Sequence, residues 1–324
     1  MLKRIIPFLL SLVLLVILLY FSDFFKVLNL LKTADYSFIF LGFLFWFLGL
    51  MVRSLRWNYL LKKVGINISL IDTIHVYIPS LFVSNVTPAK SGDVVRPFFL
   101  KTMKKRSFTK SLASVFIERF SDVVILISFS LLSFITLSTN LSFYLFLSIG
   151  LYSLLFGSIF FIVVSEKRTK KVVNFLFKLF LSRIKIFKKF GSKIVRFSSL
   201  LSRSIKTYKK PKTILTTLFF SFLVWMIEAF ILKIGFGTVG VNVSYLSCIF
   251  ALSISALISV ITFLPGGLGV SETVIMILFG QLYNLSPSEV MAGMIFSRFY
   301  SYWTYIVLGS LIAGLSKYKL SEIE

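Results

Sequence analysis

Ionisable side chains recur inside stretches of this sequence that are otherwise apolar. Glu118, Arg119 and Asp122 open one long apolar run, and Glu228 lies in the middle of another. Glu272 follows a glycine-rich turn, and Arg298 sits within the last run. Glu118 and Asp122, four residues apart, share one face of a helix. Charges at membrane depth are costly, usually face a protein interior or a wet cavity, and mark functional positions. Lys90, Asp93 and Arg96 flank a Pro-x-x-x-Gly turn, while Arg53 and Arg56 precede Trp57 at a helix end. A guanidinium is a planar donor fork that suits phosphate, so the chemistry these residues point to is the grip of a phospholipid or polyprenyl-phosphate headgroup. The plainer alternative is mutual pairing that locks helices together, with Arg53 and Arg56 snorkelling to the interface.

Other chemistries find little support. The single cysteine, Cys248, and single histidine, His75, exclude a disulfide framework, an iron–sulfur cluster and an all-Cys/His zinc site. Neither metal nor cofactor is expected, and His75 reads as interfacial packing. No phosphate-binding loop, nucleophile elbow or dinucleotide fingerprint occurs, and Pro265-Gly266-Gly267-Leu268-Gly269 is none of these.

The elements that must position these charges follow from composition. Of the 324 residues, 57% are hydrophobic and 15% charged, and the mean hydropathy of +0.92 exceeds what a fold with a polar skin carries. A soluble enzyme and a disordered tail are excluded, and a polytopic all-α membrane protein remains. Apolar runs lie at Ile5–Phe21, Tyr36–Val52, Phe108–Leu137, Leu141–Val164, Thr213–Ile234, Tyr245–Leu264 and Ala292–Leu315. The first carries no small-residue cleavage site and reads as a retained span. Thr73–Val86 and Val270–Tyr283 are short for crossing, and such pieces are tolerated at membrane depth only when buried in protein or lining a cavity.

The formal net charge of +24 reads as topology and anionic-lipid contact, not as nucleic-acid binding. All the lysines and arginines except Lys26, Lys32, Arg119, Lys233 and Arg298 fall in Met1–Ile5, Arg53–Lys110, Glu166–Thr213 or the tail after Leu315. The positive-inside rule places those four segments in the cytoplasm, and Ser22–Asp35, Ser138–Asn140, Gly235–Val243 and Asn284–Val290 outside. The expectation is six spanning helices plus two re-entrant hairpins in the cell membrane, with both termini cytoplasmic. Residues 1–324 form one integral membrane domain: a first half over 1–137, a connector over 166–212 and a second half over 213–315. In the connector, Val173, Phe177, Phe180, Ile184, Phe187 and Phe190 recur at helical spacing, with Lys171, Lys178, Lys185 and Lys189 mostly opposite. This predicts a basic amphipathic helix held to the inner leaflet by its charge.

The halves resemble each other. Pro88–Gly92 matches Pro265–Gly269 at an offset of 177 residues, and Arg119-Phe120 matches Arg298-Phe299 at 179. Trp46 and Trp225 also stand 179 apart. Because Trp46 lies on an inward-running span and Trp225 on an outward-running one, an inverted repeat is predicted, with broken helices meeting near the midplane. Pro88, Gly92, Pro265, Gly266, Gly267 and Gly269 would form the turns, where the chain must leave helical geometry.

The ordered set Arg53-Ser54-Leu55-Arg56-Trp57, Asn85, Pro88–Asp93, Arg96, Glu118-Arg119, Asp122 and Pro265–Gly269 with Glu272 resembles the lysylphosphatidylglycerol synthase transmembrane-region family, also described as flippase-like. That family more often has Glu where Asp93 stands. The resemblance implies movement of a phospholipid or lipid-linked sugar between leaflets; the expected headgroup path is a cavity lined by Asp93, Arg96, Glu118, Arg119, Asp122, Glu272 and Arg298, with Arg53, Arg56, Asn85, Lys90 and Glu228 as further lipid-binding candidates and no nucleotide consumed. It does not carry over aminoacyl transfer, which belongs to a separate soluble domain. Rival expectations are a membrane-embedded enzyme or accessory protein of polyprenyl-linked glycan or lipid modification, and a scaffold recruiting a partner through the basic connector. Membrane lipids are the expected partners, and homo-oligomerisation is compatible with each reading.

Overall fold

The computed structural model describes residues 13–87, 92–136, 142–176, 185–262 and 264–315. Among these the chain is all-helical. α1 (Val13–Phe21) and α2 (Phe24–Lys32) meet at an 82° bend around Asp23, which takes a left-handed φ of 56°. The segment expected as an external loop is therefore largely helical. α3 (Tyr36–Lys63) follows, capped by Asp35, whose carboxylate accepts from the Ser37 N–H at 2.9 Å. α4 (Leu70–Val86) is capped by Ser69, and after the first turn come α5 (Val95–Lys104), α6 (Phe108–Thr136) and α7 (Ser142–Val163).

The connector is not one helix. Its described residues form α8 (Glu166–Leu176) and α9 (Lys185–Lys206), which pack on each other; Phe177, Lys178, Phe180 and Ile184 lie outside the described residues. Arg203 reaches back to Glu166 through Nε at 2.9 Å and Nη2 at 3.0 Å. Hydrogen bonds from Arg203 and then Lys170 hold the Glu166 carboxyl down to about 2. That contribution is complete above the ordinary carboxylate range and fades only as pH falls through about 2. The end of the connector is also packed into the bundle, because Ile205 and Tyr208 are buried and Tyr208 Oη donates to the Leu60 carbonyl at 3.0 Å. Charge is thus not its only attachment.

α10 (Pro211–Thr238) opens with proline at the first helical position, where no N–H is needed. α11 (Tyr245–Ile261) leads to a tight turn at Pro265–Gly267 and then to α12 (Val270–Tyr283). The last apolar run is interrupted: α13 (Pro287–Arg298) and α14 (Thr304–Leu315) are joined by a π-helical turn at Phe299–Trp303.

Length separates two kinds of helix. α3 and α10, 28 residues each, reach about 42 Å, more than the ~30 Å hydrocarbon layer. α4 and α11, 17 residues each, reach only about 26 Å. Among the described residues three stretches are long and apolar enough to cross, in α3, in α10 and at Pro265–Tyr283, where the turn adds to the α12 expected to be too short, or four if the bent α1–α2 pair is one span. α6 has the length but carries Glu118, Arg119 and Asp122 in its first half. Phe40 and Phe47 on α3, Leu215 and Phe219 on α10 and Leu311 on α14 are exposed, as a lipid-facing surface requires.

α3 and α10 run antiparallel, since Asp35 bonds Thr238, Phe45 stacks on Phe230 and Arg56 meets Ser221. Each short helix packs on a helix from the other end of the chain, α4 on α14 and α11 on α6. At the α10–α13 contact a Cβ on Gly235 would lie 2.6 Å from the Gly293 carbonyl oxygen and 2.7 Å from the Ser297 nitrogen. Backbone meets backbone there, the close approach that small residues permit between membrane helices. Gly235→Val should therefore cost about 3 kcal/mol in detergent thermal unfolding. Gly157→Ala, where nothing lies within 4 Å, should stay within about 0.5 kcal/mol.

Candidate functional site

The charges singled out in the sequence are brought together in three groups around one cavity of about 150 Å³. The first is built on the face shared by Glu118 and Asp122. Arg56 reaches both, through Nη2 to Glu118 Oε1 at 3.0 Å and through Nη1 to Asp122 Oδ1 at 2.5 Å. Arg96, entering from the start of α5, donates to both Glu118 oxygens at 3.0 and 3.1 Å and to Asp93 Oδ1 at 3.2 Å. Arg119 closes the ring, with Nε 2.7 Å from Asp93 Oδ2 and Nη1 3.2 Å from Asp122 Oδ2. Three arginines thus alternate with three carboxylates. The Arg56, Arg96 and Glu118 side chains are at most 1% exposed, whereas Arg119 is 31% exposed. Tyr77 Oη donates to Glu118 at 2.9 Å, and the Arg96 guanidinium lies 4.4 Å from the Tyr77 ring centre.

The second group is Arg53 with Glu228, paired at 2.5 Å, with Arg53 Nη1 also donating to Tyr305 Oη at 3.2 Å. The third holds the glycine-rich turn. Glu272 Oε2 accepts from the Gly269 N–H at 2.7 Å, and its Oε1 accepts from Arg298 Nε at 2.7 Å. Arg298 also donates to Ser271 Oγ and to the Gly266 carbonyl at 3.3 Å. Gly266, Gly267 and Gly269 take φ values of 59°, 64° and 84°, so this turn demands glycine. At the first turn Gly92 is needed for space, because its Cβ would lie 2.5 Å from the Ser84 backbone nitrogen.

Arg53, Arg56, Asn85, Arg119, Asp122, Glu228, Gly266, Gly267 and Arg298 line the cavity. Asp93, Arg96, Glu118 and Glu272 stand behind that lining and hold it. Pro265 is buried beside it, and Pro88 and Lys90 lie outside the described residues. The end of α4 meets the second turn, since Tyr302 Oη reaches the Asn85 carbonyl at 3.4 Å and a Cβ on Gly266 would come within 3.2 Å of that oxygen. The π-helical turn helps, burying Tyr300 and Tyr302 directly after Arg298.

Sequence reasoning did not single out Tyr77, Tyr305, Tyr302, Ser221 or Ser271, and it used Trp225 only as a marker of the repeat. Uncharged polar groups give little signal among 38 phenylalanines and 13 tyrosines. Two cavity-lining donors, Asn85 Nδ2 and Trp225 Nε1, have no hydrogen-bond partner.

An all-helical bundle with an apolar exterior, short helices meeting at glycine turns and a charged interior defines an integral membrane protein. Residues 4–309 match the family described as the lysylphosphatidylglycerol synthase TM region, and the chain belongs to that family. A UPF0104 membrane protein of Pyrococcus horikoshii is 23% identical across 96% of both chains. One from Methanocaldococcus jannaschii is 24% identical over 92% of this chain and 90% of its own. A second from that organism is 27% identical over 72% of this chain and 93% of its own.

Removing one partner of a buried ion network strands the others without water. Glu118→Gln should lower unfolding stability in detergent by about 3–5 kcal/mol. Glu166→Gln, in the exposed connector, should unfold at nearly the same point as wild type. Equal stability of Glu118→Gln and wild type would show that the buried ring is not holding α3, α5 and α6 together.

Proposed function

We propose that this protein moves a phospholipid or a polyprenyl-phosphate-linked sugar between the leaflets of the cell membrane, the polar headgroup passing through the central cavity while the tails stay in lipid. The observation that carries the reading is the meeting of the α4 end and the second glycine turn at an arginine-lined cavity inside a bundle with an apolar exterior. Buried charge in a membrane is tolerated where it serves a polar passenger. The carboxylates around the cavity are each held by an arginine, an arrangement better suited to gripping an anion than to acid–base catalysis, which favours transport over the enzymatic alternative.

The reading includes six crossings, two re-entrant hairpins and an inverted repeat. Supporting the last, α3 and α10 share one length and run antiparallel, and the cross-packing of α4 on α14 answers that of α11 on α6. Antiparallel partners related by a two-fold axis place that axis perpendicular to both, hence in the membrane plane. The Trp46–Trp225 match does not belong to this register, because α3 and α10 begin 175 residues apart, not 179.

Reconstituted into liposomes with a fluorescent phospholipid, wild type should speed equilibration between leaflets, and an Arg119→Ala/Arg298→Ala double variant should lose at least about tenfold. Equal rates would overturn the proposed cavity path. For topology, Gly240→Cys and Asn284→Cys should label from outside and Lys188→Cys only from the cytoplasm. Cytoplasmic labelling at position 284 would remove the second hairpin.

A further inference from the structure

The two halves keep a register that the short sequence matches only approximate. α3 and α10 have 28 residues each and begin 175 apart, as do α4 and α11 with 17 each. The loops between them agree in detail. Gly65 and Gly240 take φ of 75° and 76°, and Ser69 and Ser244 cap the following helix through their side chains. α5 and α12 also begin 175 apart, but α12 has 14 residues against 10. That extra turn moves the later offset to 179. At this offset Lys105 and Asn284 share the left-handed conformation, with φ of 48° and 52°. α6 then has 29 residues, the same span as Pro287–Leu315.

Two consequences follow for the charges. Arg53 and Glu228, 175 apart, occupy equivalent positions and are bonded to each other. A point in contact with its own symmetry mate lies beside the two-fold axis, as in an isologous interface. Arg119 and Arg298, 179 apart, are equivalent as well, and both line the cavity. Each is held by a carboxylate that follows its own half's turn, Asp93 at 2.7 Å and Glu272 at 2.7 Å. Each remains partly open, at 31% and 17%, while Arg56 and Arg96 are sealed.

We propose that the cavity contains two equivalent anion sites, Arg119 in the first half and Arg298 in the second, exchanged by a two-fold axis through the Arg53–Glu228 pair, each taking the phosphate of a lipid headgroup in turn. The unpartnered donors Asn85 Nδ2 and Trp225 Nε1 line the same cavity and can serve the remaining phosphate oxygens. Neither arginine needs to leave its carboxylate, because a guanidinium has five donors. Arg53 and Glu228 are positioning residues: they hold the two long helices at the point where the halves exchange. The equivalence is not complete: at the offset of 175 that holds to the start of α5 and α12, Asp93 matches Leu268 and not Glu272, and Arg119 also meets Asp122, whose match at 179 is Ser301.

The proposal rests on the transport reading but is tested separately from it. Dihexanoyl phosphatidylglycerol is titrated into the purified full chain by calorimetry, with dihexanoylglycerol and inorganic phosphate as comparison ligands. Arg119→Gln and Arg298→Gln should each weaken phosphatidylglycerol binding about tenfold and agree within about threefold. Where a Gln variant fails to fold, the Lys variant replaces it, with about a threefold loss expected at both positions. Equal binding of dihexanoylglycerol would overturn the anion sites. Inorganic phosphate binding as tightly as the lipid would overturn the assignment to a lipid headgroup. Loss confined to one arginine would overturn the equivalence while leaving transport intact, whereas two-site binding without leaflet exchange would sink the transport reading alone. For the axis, Arg53→Glu and Glu228→Arg should each lower leaflet exchange about tenfold, and the charge-swapped double variant should recover at least a third of wild type, roughly a threefold gain over either single. A folded double variant no better than the singles would refute the axis.

Discussion

A charged group cannot stay in hydrocarbon unless other charges answer it, and this protein is arranged around that constraint. Glu118 is sealed from solvent and answered by Arg96 and Arg56, which are answered in turn by Asp93 and Asp122. Satisfying one carboxylate therefore fixes the relative positions of α3, α5, α6 and the first turn. The ring buys little net stability, because removing two charges from water costs nearly as much as pairing them returns.

The openings in the bundle follow from this. Helix ends buried inside the bundle have backbone groups that must be satisfied by protein. At the second turn Glu272 takes the Gly269 N–H and Arg298 takes the Gly266 carbonyl, so the broken helix is repaired by side chains. The space left beside the repaired turn has a mixed lining, with arginines set among aliphatic side chains such as Leu81, Val224 and Ile275.

Much of the site was legible from the sequence because charges in apolar runs are conspicuous. Arg53, Arg56, Arg119, Asp122, Glu228 and Arg298 all reach the cavity. What the sequence concealed was rank: Asp93, Arg96, Glu118 and Glu272 stand behind the lining, and depth from the cavity has no signature in one dimension. The α1–α2 bend was missed because it turns on the left-handed Asp23 inside a stretch that reads as a charge-poor loop. The connector's two helices were read as one because helical periodicity does not reveal where a chain folds back, and the Glu166–Arg203 bond that closes the hairpin spans 37 residues. Short matching strings suggested a repeat, and the register proposed for it rests on helix ends and cap conformations that the letters do not display.

The account stands on a lipid headgroup entering the cavity while the rest of the lipid remains outside the bundle. A phospholipid carrying a photoreactive diazirine in its headgroup tests this directly, with the modified residues of the reconstituted protein read by peptide mass spectrometry. Labelling should fall on Ser84, Asn85, Ser255, Ala256 and Ser259, which line the cavity, and a diazirine on the acyl chain should instead mark the exposed Phe40, Phe47 and Phe219. Headgroup labelling confined to those exposed phenylalanines, with the cavity residues unmodified, would contradict the account.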